Sequence, residues 1–153
     1  MSGEILAEAD NLIVEFTGNT KLFPNYATSS AAGADLKADL TSPVFLKPGD
    51  RCLIPTGISV AIPAGWEGQV RPRSGLSINK GVTLLNSPGT IDSDYRGELK
   101  VILINLGREV VSIEPGERIA QLVIGRIATA NFELVKELPP SNRGAAGFGS
   151  TGK

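Results

Sequence analysis

Histidine is absent from the chain, and cysteine and tryptophan occur once each. The first absence removes Ser-His-Asp and Cys-His catalysis and His-based zinc sites in one step, which leaves carboxylates as the obvious general bases. The lone Cys52 excludes an internal disulfide. With no local basic cluster to favour its thiolate, it reads as a bland buried thiol rather than a nucleophile. Charge of one sign is also missing: 15 Lys+Arg against 16 Asp+Glu leave a net of −1. Nothing here makes the broad basic field that duplex nucleic acid requires, so any anion site must be local. No apolar run reaches the roughly 18 residues of a membrane span, and the opening "MSGEILAEADNLIVEF" has acids where a signal peptide has its apolar centre. The expectation is a cytoplasmic protein without membrane or direct nucleic-acid contacts. At 153 residues it is expected to form one domain, burying roughly 68–70% of its unfolded surface.

What is present is a β pattern. Short Val- and Ile-rich stretches, "NLIVEF" (11–16), "RCLIPTGISVAI" (51–62), "VTLLN" (82–86), "ELKVILINL" (98–106), "EVVSI" (109–113), "RIAQLVIGRI" (118–127) and "FELVKEL" (132–138), read as strands. Between them "KPGD" (47–50), "IPAGW" (62–66), "SPGT" (87–90) and "EPGE" (114–117) read as turns, at intervals typical of a sandwich or barrel. Residues 76–81 have room for a helical turn or two, too little to change the all-β class. "VILINL" and "AQLVIG" are apolar on both faces and need cover on both, which predicts a subunit interface. After "PP" at 139–140 the chain turns Gly-rich and poor in apolar residues, so residues 139–153 are expected to be a mobile arm on a 1–138 domain.

Taken singly, the polar motifs have ordinary readings. "RPRSGLS" (71–77) sets two arginines and two serines around a glycine, either a solvated turn or a phosphate grip of guanidinium forks and turn N–H groups. "AGADLKADL" (32–40) offers Asp35 and Asp39, "ERIAQLV" (117–123) carries Gln121, and "GTIDSDYRGELKV" (89–101) holds Asp92, Asp94 and Tyr95. Strand-end acids, a core edge and a polar hairpin tip account for these equally well. Trp66 reads as a core or rim aromatic. "RGAAGFGSTG" (143–152) places an arginine, a lone phenylalanine and a Ser-Thr pair in an arm with no core of its own. Arginine and hydroxyls hold phosphates and Phe148 can stack on a planar ring.

In their order along the chain, "AGADLKADL", "PRSGLS", "GTIDSDYRGELKV", "ERIAQLV" and "RGAAGFGSTG" closely resemble the motifs of the trimeric dUTP diphosphatase (dUTPase) family, from about Gly33 to Gly152. The resemblance implies a distorted jelly-roll-like β-barrel, a homotrimer with shared active sites, and Mg²⁺-dependent hydrolysis of dUTP to dUMP and pyrophosphate. Such an enzyme limits uracil in DNA and supplies dUMP for dTMP synthesis. By the same likeness Asp92 is the base that activates the water attacking the α-phosphorus, and Asp94 braces the hairpin. Asp35 holds the hydrated Mg²⁺ through water, while the phosphates ligate the ion directly. Arg73, Ser74, Gly75 and Gln121 donate to phosphate oxygens. Uracil lies in the hairpin 82–95, read by Asn86 and the backbone of Gly89, Thr90 and Ile91, with Tyr95 beneath the deoxyribose. Arg143, Phe148, Gly149, Ser150 and Thr151 close over the substrate from the arm. Ala146 departs from the family's usual glycine, at a cost of about 1 kcal/mol wherever positive φ is required. Two other readings are a dCTP deaminase on the same fold and a non-catalytic nucleotide-binding trimer.

Overall fold

The structure is a computed structural model and describes residues 12–146. In chain order its strands are β1 (Glu15–Gly18), β2 (Asn25–Tyr26), β3 (Ala34–Lys37), β4 (Val44–Leu46), β5 (Arg51–Ala61) and β6 (Trp66–Arg71). A 3-10 turn spans Thr20–Leu22, and the one α-helix among the described residues, α1 (Ser74–Lys80), is followed by β7 (Val82–Leu84), β8 (Gly89–Ile91), β9 (Glu98–Asn105), β10 (Val111–Ile113) and β11 (Arg118–Arg126). The longest strand shows the logic: Ile54, Thr56, Ile58 and Val60 are buried and alternate with partly open neighbours, the period-2 signature of a strand with one face on a core.

Among the described residues all pairings are antiparallel and fall into three sheets, ordered β1-β5-β9-β7, β10-β4 and β2-β3-β11-β6-β8. Their inner faces share one core in which Leu36, Leu46, Ile54, Leu99, Leu103 and Ile119 are fully buried. The all-β class read from sequence is the observed one, although among the described residues the strands do not close into a continuous barrel. Asn105, wholly buried, ties the sheets together: its amide donates to the carbonyls of Leu46 (2.9 Å) and Glu109 (2.8 Å) and accepts from Gly107 N–H (2.8 Å). A buried amide so fully paired offsets its desolvation and fixes a register.

Two sequence expectations change. Residues 132–138 form no strand, and Phe132 and Leu134 stand 98% and 99% exposed; a strand-like sequence becomes a strand only by pairing, and among the described residues this segment pairs with no sheet. The first strand starts at Glu15 rather than 11, with Asn11 outside the described residues. The turns at 47–50, 62–66 and 114–117 are present, with left-handed Gly49, Gly65 and Gly116. Trp66 is the rim aromatic expected, with the Arg126 guanidinium 5.0 Å from its ring centre. Cys52 is a free, half-buried thiol packed against the core. No helix among the described residues is long and apolar enough to cross a membrane.

Residues 76–81 do hold a helix. It begins two residues earlier, at Ser74, and stops at Gly81, whose φ of 68° and N–H bond to Ser77 O (3.0 Å) make a left-handed cap. Leu76 is its one buried residue, so α1 is pinned by a single apolar anchor and by polar contacts at its ends. Those ends position the site.

Candidate functional site

The five-stranded sheet sets three motif side chains in a row. Gln121 on β11 lies opposite Asp35 of β3 on one side and opposite Arg71 of β6 on the other, so their side chains share one face. Arg73, two residues past Arg71, is the N-cap of α1, but its side chain makes no cap bond. It turns to Asp35 instead, Nε to Oδ1 at 3.1 Å. The other carboxylate oxygen, Oδ2, accepts from Arg118 Nη1, also at 3.1 Å. Asp35 is thus a buried carboxylate, 8% exposed, held between two guanidiniums, with one lone pair on each oxygen still open to a further donor. Gln121 donates from Nε2 to Pro72 O (2.9 Å), and its Oε1 occupies the space a side chain at Gly33 would need. Asp35, Arg73 and Gln121, with Ser74 and Gly75 exposed on the first turn of α1, line a hollow of about 270 Å³. It is a concentration of donors in a chain of almost no net charge, as a local anion site requires.

Gln121 also faces a second hollow of about 440 Å³, shared with Gln69, Arg71, Ser87 and Pro88. It leads to the hairpin between β7, in the first sheet, and β8, in the five-stranded one. At the hairpin's tip the Asn86 amide nitrogen lies 3.1 Å from the position a Gly89 Cβ would take, so Asn86 packs directly over Gly89.

Beyond β8 the chain turns, with Tyr95 N–H bonded to Asp92 O (3.1 Å). Thr90, Ile91, Asp92 and Tyr95 line a third hollow of about 350 Å³ with Leu53, Glu98, Leu99 and Lys100. The Asp92 carboxylate is exposed there and makes no side-chain hydrogen bond or ion pair among the described residues. It is free to accept from a solvent molecule or ligand. Tyr95 is fixed: its hydroxyl donates to Glu98 O (3.1 Å), and its ring lies where Gly97 would carry a Cβ, 2.4 Å from the hydroxyl oxygen.

The bracing expected of Asp94 is not found. Its side chain is exposed and unpaired among the described residues. Arg96 does that work, its Nη1 donating to the carbonyls of Ser93 (2.7 Å) and Tyr95 (2.9 Å), because a long forked donor reaches backbone acceptors that a short carboxylate, itself an acceptor, cannot use. Arg143 lies in a turn closed by Ala146 N–H to Arg143 O (3.2 Å), and its Nε donates to Ala146 O (3.0 Å); it lines none of the three hollows. The left-handed residue of that turn is Gly144, φ 54°. Phe148, Gly149, Ser150 and Thr151 lie outside the described residues. Most of the expected site residues therefore fall into two groups, Asp35, Arg73, Ser74, Gly75 and Gln121 in one hollow and Thr90, Ile91, Asp92 and Tyr95 in another, with no lining residue in common, while Asn86, Gly89 and Arg143 line neither. Sequence reasoning passed over Arg118 and Arg96, though each sits inside a motif quoted above.

A three-sheet antiparallel β fold with a donor-lined hollow around Asp35 and Arg73, and a separate unpaired carboxylate at Asp92, defines the class by its architecture. The chain belongs to the dUTPase family, whose model matches residues 19–152. It is 60% identical over 131 residues to the deoxyuridine 5'-triphosphate nucleotidohydrolase of Treponema denticola, covering 86% of this chain and 91% of that one. Its likeness to the enzyme of the same name from Bdellovibrio bacteriovorus is 56% over 130 residues, 85% of this chain and 87% of that one. Among solved structures, the dUTPase of Staphylococcus bacteriophage 80alpha with dUPNHPP superposes with a TM-score of 0.83 at 29% identity, over 92% of this chain and 99% of that one.

Proposed function

We propose that the protein hydrolyses dUTP to dUMP and pyrophosphate in an active site shared between the chains of a homotrimer. The observation that carries this reading is the division of the motif residues into two hollows of one chain, a donor-lined one and one with an unpaired carboxylate. Neither is complete alone, and a neighbouring copy that brings the hairpin of one chain to the anion hollow of another completes both. The outward Ile102 and Ile104 of β9, partly open, and the exposed Phe132 and Leu134 supply apolar surface for such contacts. Family membership and the substrate analogue carried by the phage relative point to the same substrate.

In this mechanism the triphosphate lies against Arg73, Ser74, Gly75 and Gln121, whose donors oppose its charge. Uracil pairs with Asn86 and the backbone of Gly89, Thr90 and Ile91, and Tyr95 packs beneath the deoxyribose, where a 2′-hydroxyl would clash. Asp92 accepts a proton from a water molecule as that water's oxygen bonds to the α-phosphorus. The bond from the α-phosphorus to the bridging oxygen breaks, and pyrophosphate leaves. Arg143, Phe148, Gly149, Ser150 and Thr151 close the site from the arm 139–153.

Asp35 fits a water-mediated role toward Mg²⁺. It is the lone carboxylate of the anion hollow, and both its oxygens keep acceptor capacity. No group of three or more Cys, Asp or Glu among the described residues is placed to cage a cation, so the phosphates themselves would ligate it. Mg²⁺ would supply charge against the triphosphate. We place the enzyme in the cytoplasm, limiting uracil in DNA and supplying dUMP. Pyrophosphate release measured with dUTP, dCTP, dTTP and UTP side by side tests the reading, with turnover expected for dUTP alone. Comparable release from all four would overturn it.

A further inference from the structure

Beside the anion hollow, on the Asp35 carboxylate that lines it, sits a group that the mechanism above does not use. Arg118 sits on β11 three residues before Gln121, and on a regular strand that odd spacing sends the two side chains to opposite faces. The register shows why it does not. Arg118 lies opposite Lys37 and Ala120 opposite Leu36, so β11 carries one extra residue between them, a β-bulge. Ile119 and Ala120 are in consequence both fully buried, and Arg118 joins Gln121 and Asp35 on the outward face. Arg118 and Lys37, two cations, also face each other across the strands, an arrangement unfavourable for folding. A bulge that aims a cation toward a buried carboxylate, beside another cation, is a device for placing charge.

What that charge does follows from counting. Asp35 and Arg73 alone would be a neutral pair, and a guanidinium committed to a buried carboxylate has little field left for a phosphate. Arg118 takes the second oxygen, Oδ2, at 3.1 Å, and the trio becomes net cationic. Its backbone carbonyl also accepts from Arg73 Nη1 (3.3 Å), so one residue shares the counter-ion and holds the far end of the Arg73 fork. The contact from Arg118 to Asp35 is a single N–H bond, and its side chain remains 52% exposed.

We propose that Arg118 is a positioning residue for the phosphate subsite: by sharing Asp35 it leaves Arg73 charged and aimed for the substrate's phosphates. The proposal rests on the reading of this hollow as the phosphate subsite. Three variants separate the two. Arg118→Gln removes the charge, Arg118→Lys keeps it and can still reach one carboxylate oxygen, and Arg73→Ala removes the group being positioned.

Binding of the imido analogue of dUTP and of dUMP is measured by calorimetry, with thermal unfolding of each variant alongside. Arg118→Gln is expected to weaken the triphosphate analogue about tenfold or more and dUMP by less than about threefold, because the lost field acts where the phosphates are. Arg118→Lys should restore the analogue to within about threefold of the parent protein. In an Arg73→Ala background, adding Arg118→Gln should cost less than about threefold further, since coupled groups are not additive. Equal loss for dUMP and triphosphate, a lysine variant as weak as the glutamine one, full additivity with Arg73→Ala, or an effect confined to the unfolding temperature would each overturn the proposal. Arg73→Ala that binds the analogue like the parent would overturn the subsite reading itself.

Discussion

At the scale of single residues, the two acids two positions apart in the hairpin have unequal surroundings. Both are exposed, but Asp92 lines a hollow with Tyr95 and Thr90, whereas Asp94 lines none and its side chain makes no hydrogen bond or ion pair among the described residues. Asp92→Asn keeps the shape of the side chain but cannot take a proton, so kcat is expected to fall by about 10²–10⁴-fold while the imido analogue binds within about threefold of the parent. Asp94→Asn should alter neither turnover nor melting temperature. The reverse pattern in steady-state rates would exchange the acids' roles. Gly97 offers a gentler probe of the sugar-reading role proposed for Tyr95. A methyl there would lie 2.4 Å from the Tyr95 hydroxyl oxygen and 2.6 Å from its ring carbon Cζ, so Gly97→Ala must swing the ring away without touching the substrate. The ring is partly exposed, so moving it costs little beyond the hydroxyl's bond to Glu98 O, about 1 kcal/mol. The expected result is a melting temperature lowered by no more than about 2–4 °C with the ratio of kcat/KM for dUTP over UTP lowered by about threefold or more. An unchanged ratio would mean that the sugar is read elsewhere.

At the scale of elements, α1 joins the anion hollow to the rest of the molecule. Arg73 holds its first end, and at the other Lys80 pairs with Glu117 (2.7 Å), the neighbour of Arg118. Gly81 ends it in a left-handed conformation with the Gly107 backbone 2.5 Å from where a Cβ would stand. Gly81→Ala therefore meets both a strained φ and a backbone clash, and about 1–3 kcal/mol of destabilisation is expected. Thermal unfolding checks this, with a fall of about 2–4 °C for each kcal/mol. A melting temperature equal to the parent's would show that the cap is not strained.

How legible such elements were depended on length and context. The long strands β5, β9 and β11 could be read because their apolar positions repeat over eight or more residues. β3, with four residues, and β6, "WEGQVR", could not, being short or interrupted by glycine and charge. Their strand character comes from β11, which pairs with both and lies far along the chain. The segment 132–138 misled in the opposite direction, since its pattern is strand-like but a pattern does not say whose edge it pairs with. Ordered motifs singled out Asp35, Arg73, Gln121 and Asp92 as candidates, and the structure adds which of them meet. Arg118 was hidden by the bulge, a feature of pairing register that one strand's sequence does not display.

At the scale of the whole molecule, the separation of the two hollows becomes a statement about assembly. If base, phosphate donors and arm come from different chains, inactive variants must complement one another. One partner carries Asp92→Asn with its arm intact, and the other keeps Asp92 but is truncated after Asn142. Alone, each variant should be nearly inactive under the proposed mechanism, the first for want of a base and the second for want of Arg143 and the residues beyond it. Unfolded together in equal amounts and reassembled, about three quarters of the trimers should be mixed if threefold symmetry is closed and association is random. In either mixed composition, passing round the ring in one direction meets a chain with Asp92 followed by a chain with an arm once only. One site in three is then complete, and recovered activity should approach about one quarter of the parent's. The measurement is pyrophosphate release from dUTP after sedimentation has verified mixed trimers. Recovery near one quarter fits a base and an arm drawn from different chains. No recovery from verified mixed trimers would mean that one chain supplies both, and the hollows would then have to meet by a movement within the chain.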